Sequence, residues 1–581
     1  MSDFLTPIPA SNPYYDLGTL TRPITTTSPD AQEWFDRGLR WAYGFNHAAA
    51  AWCFEQALLH DKYCPAAYWG LAYSLGPNYN KPWEVFDEAD IKRTVEKCHS
   101  AIEEGLKLEH GTEVERALLE AISTRFPVDR DSRTHNEWNI NYANTMVQLY
   151  NRFPNDIDIA ALTADSLMNL TPWALWDIST GTPASNSRTL EVQAILNKAL
   201  TTPAGYNHTG ILHLYIHYIE MSPTPELGLV PGDRLRKLSP EGGHLTHMPS
   251  HIDVLVGDYR RAIASNWDAV VADEKYRKES GDLGLYTFYR VHDYHTIIYA
   301  SMHCGQYSQA IKAVDGMEDS LSYDVLKVES PPMADWLEYF LTVRPHILVR
   351  FGEWQEILSL KFPQDKIVYC TLIATIHYAR TVALASIGKI NEAEEEQILY
   401  RQAVQKVPRS RMIYPNTCHD VLAVGDPMLD GEIEYRKGNY EKAFEYLREA
   451  VRRYDNIVYA EPWGWMQPVR HALAALLLEQ DRVEEATVVY EEDLGISGTL
   501  PRACQHPNNV WALYGYHQCL KRLGRNQEAV IWEKQLAIAL AVADVPIKTS
   551  CFCAGASERE INGNNLSAKS CCDGKLTKQA F

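Results

Sequence analysis

At 581 residues the chain is several times the length of an ordinary domain of roughly 100–200 residues, so it must divide into domains or grow by repetition. An apolar fraction of 46% with 22% charged residues belongs to a folded chain with a large core and excludes a disordered one. The formal charge of −20 argues against an extended phosphate-neutralising surface, so neither nucleic acid nor an anionic membrane is expected as a partner.

Residues 1–25 read as an N-terminal arm. Met1 to Gly18 has no basic stretch followed by an apolar one, and nowhere do the roughly 18 apolar residues of a membrane span run together. A cytoplasmic protein is expected. Eight of the 12 Cys lie before the C-terminal tail in mostly helical segments, which predicts buried thiols.

The pattern from 26 to 545 predicts an all-α, tetratricopeptide-like solenoid, a superhelix of antiparallel helix pairs. In the first repeat region, 26–80, Trp34, Gly38, Trp41, Ala50, Phe54 and Ala57 are spaced as in a helix-turn-helix unit, with small residues where two helices touch. Asn46 and His47 fall in its turn, where capping accounts for the Asn. The stretch 81–250 is helical by pattern but divergent, and Asp129–Arg133 and Thr180–Pro183 read as loops. Here Asp165, Asn169, Trp173 and Trp176 are expected to pack as buried polar groups beside aromatics.

Residues 251–545 carry a regular turn followed by a small or apolar residue. The pairs are Gly257 with Ala262, Gly305 with Ala310, Gly352 with Ile357, Gly388 with Ala393, Gly438 with Ala443, Asp481 with Ala486, and Gly524 with Ala529. The last three alanines recur every 43 residues, the mark of a stacked array. Gly or a polar residue ends the first helix in a tight turn, and the Ala lets the second approach closely. Residues 546–581 form a polar tail with Cys551, Cys553, Cys571 and Cys572, for which metal capture, acylation and no role all stand open.

Chemistry is suggested by a belt of eight His among the 20 of the chain. His213, His217 and Glu220 fall at i, i+4 and i+7, one face of a helix. His244, His247 and His251 follow at intervals of three and four, with Pro249 placing a helix start near His247. His292 and His295 stand at i and i+3, and His208 opens the first of these helices. Neutral imidazole suits copper, iron and zinc, whereas calcium or magnesium would call for oxygen ligands. The expected metal ligands are His213, His217, His247 and His251, with His244 and His208. Glu220, His292 and His295 are expected to act as ligand, base or proton carrier. Copper or iron is the leading metal and zinc the next, with one or two ions per chain. A single helix His is more often structural, and the clustering is what shifts the balance here. Glu461–Pro468, with two indoles and Met466, either walls a small-molecule pocket or packs between repeats.

The chain resembles a microbial family of large tetratricopeptide-repeat proteins. The resembling blocks are Gly44–His47, Tyr68–Ala72 with Leu75–Asn78, the His213–Glu220 helix, Gly243–Ile252 with its His-Met-Pro-Ser-His-Ile run, His292–His295 and Glu461–Pro468. The resemblance implies the solenoid and carries no reaction with it. It also implies Asn where this chain has Asp293, and an acidic residue near Asp165.

Two functions follow. The leading expectation is a metal-dependent oxidoreductase acting on a small organic molecule in the concave groove. The alternative is a non-catalytic solenoid that binds a partner protein or peptide in that groove.

Overall fold

The computed structural model describes residues 6–126, 135–281 and 283–551. The Asp129–Arg133 segment and most of the Cys-containing tail lie outside these residues. The protein is an all-α solenoid of the tetratricopeptide type. Among the described residues, sheet is confined to two small antiparallel hairpins, Trp176–Asp177 with Thr182–Pro183 and Met412–Ile413 with Asn416–Thr417. The first of these contains the Thr180–Pro183 stretch expected as a loop.

The seven turns anticipated in 251–545 share one geometry. Gly257, Gly305, Gly352, Gly388, Gly438, Asp481 and Gly524 all have φ between 56° and 83°. The amide of each following residue donates to the carbonyl five positions earlier, from Asp258 to Asp253 at 2.8 Å through Arg525 to Leu520 at 2.9 Å. This is the Schellman closure of a helix, which satisfies otherwise orphaned carbonyls and needs a left-handed residue. Asp481 supplies that conformation without being glycine. The small residues after the turns are buried as expected, with Ala262, Ala310, Ala393, Ala443 and Ala486 fully enclosed.

The first repeat works by the same economy of volume. The helices Pro29–Tyr43, His47–His60 and Pro65–Leu75 pack in order, and the Phe54 ring lies between Gly38 and Gly70. A Cβ on either glycine would come within 2.8 and 2.5 Å of that ring. Asn46 caps the second helix by accepting the Ala49 amide. All eight Cys before the tail are free thiols, and seven are buried.

The superhelix closes on itself. Trp511 Nε1 donates to the Met302 carbonyl, Tyr259 Oη to the Pro507 carbonyl and Gln306 to the Val542 carbonyl. The segment around Glu461–Pro468 occupies the interior. Tyr339 Oη donates to the Gly464 carbonyl, and Trp465 sits edge-on between His346 and Tyr378. Here, in the concave groove expected to hold a substrate or partner, the chain itself packs. No helix among the described residues is long and apolar enough to cross a membrane.

Candidate functional site

Four helices carry the His belt to one place inside the closed superhelix. His213 and His217 lie on Thr209–Ile219, His244 and His247 on Gly243–His247, His251 on Pro249–Val256, and His292 on Thr287–Cys304. Pro249 interrupts little. Met248 before it keeps helical dihedrals, and the missing amide falls at a helix start where it has no partner to lose. His244, His247 and His251 thus all ride on helical backbone, with His244 in the first turn and not in the preceding loop.

The rings form two adjoining triads. In each, the potential ligand nitrogens lie within 4.8 Å of one another, His213 with His217 and His244, and His247 with His251 and His292. His213 Nδ1–H donates to the Tyr43 carbonyl at 2.7 Å. His217 Nδ1 lies 3.0 Å from Glu220 Oε1, and His251 Nδ1 lies 2.6 Å from Glu220 Oε2. His247 Nδ1–H donates to Asn266 Oδ1 at 2.6 Å, with Asp293 Oδ1 3.1 Å away. Asn266 is oriented for this by its own amide nitrogen, which donates to the Ala262 carbonyl. His213 Nε2, His217 Nε2 and both nitrogens of His244 are buried without a hydrogen-bond partner. Buried polar atoms are normally paired, so this concentration of free imidazole nitrogens is unusual.

Burial governs the electrostatics. It drives the pKa of His213 down to about 3 and those of His217, His244, His247 and His292 well below the ordinary imidazole value, with neighbouring imidazoles adding to the effect. The same burial pushes the Glu220 carboxyl well above its usual range. Neutral imidazoles with available lone pairs are what metal coordination requires.

A cavity of about 80 Å³ reaches both triads through His244, His251 and His292, and Trp173, Tyr289 and Glu461 also line it. Glu461, raised to about 8 by burial and by the nearby Glu220, was legible only within the Glu461–Pro468 segment, read either as a pocket wall or as packing between repeats. Phe45 packs on His213, His217 and His244, with centroids 4.4 to 5.9 Å apart. Neither Phe45 nor Asn266 carried a signal for this role in sequence.

Three expected site residues stand elsewhere or act otherwise. His208 is not in the cluster: its Nδ1 caps the Thr209–Ile219 helix by accepting the Ile211 amide, and its Nε2 pairs with Asp158 Oδ1 at 3.0 Å. His295 lies on the cavity wall with Nε2 2.8 Å from Met466 Sδ. Glu220 is fully buried between two imidazoles and does not reach the cavity lined by His292 and His295.

No protein-family model and no curated protein matches the chain. Among solved structures, the crystal structure of the APC/C hetero-tetramer Cut9-Hcn1 is similar over 82% of this chain and 74% of that one, with 15% identity and a TM-score of 0.29. The structure of Naa15/Naa10 bound to HypK-THB is similar over 87% of this chain and 70% of that one, with 12% identity and a TM-score of 0.21. Both neighbours are assemblies of several protein chains. The expectation of a copper or iron oxidoreductase acting on a small organic molecule is corrected by the geometry of the site, because Glu220, His292 and His295, the expected catalytic group, do not meet around one open space.

Proposed function

We propose that this protein is a non-catalytic solenoid scaffold that binds a partner protein. The observation that carries the reading is the outer face of Asn526–Val542, the last helix among the described residues. Inner residues Ala529 and Leu536 are buried, while Val530, Ile531 and Ile538 are 60%, 71% and 62% exposed. Ala537 and Ala541 are exposed on the same stripe. A terminal repeat facing water ordinarily carries a polar outer surface, and an apolar stripe in its place marks an interaction site. The partner is therefore assigned to this outer end, since the interior groove is filled. Free thiols throughout the core support a reducing compartment such as the cytoplasm. We further assign the chain to the large tetratricopeptide-like proteins that carry the His244–Ile252 block.

The test is affinity capture from extract of the source organism with wild-type protein and an I531E/I538E variant as baits. The scaffold reading expects a stoichiometric partner held by the wild type and lost by the variant. Identical partner sets on both baits, or none on either, would overturn it.

A further inference from the structure

We infer that the two histidine triads bind two transition-metal ions, one held by His213, His217 and His244 and the other by His247, His251 and His292, with the Glu220 carboxylate linking the sites. The inference stands apart from the scaffold reading and rests on three features of the geometry.

The first is orientation. His213 and His247 each present Nδ1–H to a fixed acceptor, the Tyr43 carbonyl and the Asn266 side-chain oxygen, which leaves Nε2 as a lone pair facing inward. Metal-binding imidazoles are characteristically held this way by a carbonyl or carboxylate on the far nitrogen. Glu220 plays that part twice, with one oxygen on an imidazole of each triad. It is a positioning residue common to both sites.

The second is the close approach of the inward ring nitrogens. His247 Nε2 and His251 Nε2 face each other at 2.7 Å, while His251 Nδ1 stands 2.6 Å from Glu220 Oε2. A neutral His251 has one N–H and can fill only one of these contacts when Glu220 is ionised. His247 cannot supply the other proton, because its own is given to Asn266. A metal ion between the rings would engage both facing Nε2 lone pairs, while in the metal-free protein a proton on Glu220 fills the same contacts. In the other triad the demand is for a ligand, since four buried nitrogens of His213, His217 and His244 have no partner at all.

The third is access and enclosure. The cavity touches a ring of each triad, His244 on one side and His251 and His292 on the other, and so provides an entry path. Phe45 walls the first triad from the opposite side. Imidazole-only triads select late first-row ions, with copper, iron and zinc the candidates, over calcium or magnesium. With metal–nitrogen bonds of about 2.0–2.1 Å the rings draw together on binding. Each ion then ties two or three separate helices of the solenoid to one another.

The experiment uses the full-length protein, stripped with a chelator under anaerobic conditions and loaded separately with Zn(II) and with Cu(I). Bound metal is counted by mass spectrometry after gel filtration. Two equivalents of one of these ions are expected for the wild type, and one each for H244A and H292A that retain the wild-type circular dichroism. Zero or one equivalent in the wild type for both ions, or two retained in both variants, would overturn the proposal. Where a variant does not fold, X-ray absorption of the loaded wild type decides, with about three imidazole nitrogens per ion expected and an oxygen-dominated shell contradicting it. E220Q should bind more weakly at both sites, by about 10- to 100-fold, whereas a merely structural Glu220 would leave both affinities unchanged.

Discussion

The central histidines and the pair His471 and His506 differ in how their ring nitrogens are satisfied. Around Asp493, in the C-terminal repeats, every nitrogen of His471 and His506 has a partner. His471 Nε2 and His506 Nδ1 contact the two Asp493 oxygens at 2.8 and 2.9 Å, His471 Nδ1 meets Arg350, and His506 Nε2 meets Tyr454. Asn509 adds a third donor to the same carboxylate. In the central cluster His213 Nε2, His217 Nε2 and both His244 nitrogens have no partner, while His247 Nε2 and His251 Nε2 contact each other. A structural network closes upon itself, whereas a site keeps lone pairs available, and the number of buried His alone does not distinguish the two.

The largest expected effect is that of acid on the buried imidazoles. In metal-free protein the folded-state pKa of His213 is about 3 against an ordinary 6.5, and several neighbours are lowered with it. Below about pH 6.5 the unfolded chain then binds more protons than the folded one, so stability falls as pH drops from that value towards 3. In the other cluster buried His471 is lowered to about 4 and adds to the same loss, while His471 and His506 hold the Asp493 carboxyl below 3.8 in spite of burial. Its contribution is present above the unfolded value and lost only as pH falls through the lower folded one. Urea titrations of the metal-free protein at stepwise pH should show the first loss between about pH 6.5 and 4. A flat profile over that interval would contradict the assignment of the central imidazoles as neutral.

Substitution should show the same asymmetry at fixed pH. Asp493→Ala removes the acceptor shared by His471, His506 and Asn509 and should cost about 3–5 kcal/mol, read as a lower urea midpoint at pH 7. His244→Ala removes a ring that has no hydrogen bond, so the metal-free protein should lose only about 1 kcal/mol. If the two losses came out equal, the central cluster would be as structural as the other.

These differences also explain what could be read from sequence. The Gly257 to Gly524 turns were legible because a Schellman turn needs a left-handed residue at a fixed place and the array repeats it. His213 with His217, and His247 with His251, were legible because i, i+4 spacing aligns rings on a helix. Their meeting was only an expectation, since helix spacing says nothing of how repeats curve. His208 was singled out only for opening the same helix, and it serves as its cap, with its other nitrogen held by Asp158 far away in sequence. The Asp493 network left no trace, because Arg350, His471 and His506 come from separate repeats and none is at a diagnostic spacing. Glu461 and Met466 enter the interior only because the superhelix closes, which no local pattern encodes.

The smallest expected effect on stability belongs to I531E/I538E. Both side chains are mostly in water already, so little burial is given up. Glu is also a better helix former than Ile. The new carboxylates would stand three residues before and four after Lys534, spacings at which opposite charges on a helix attract by about 0.2–0.5 kcal/mol. The variant should therefore unfold within about 0.5 kcal/mol of wild type and keep both histidine clusters intact, as judged by an unchanged pH profile and unchanged metal uptake. Leu536→Glu on the buried face of the same helix should cost clearly more. If I531E/I538E were as damaging as Leu536→Glu, the apolar stripe would belong to the fold and not to a partner.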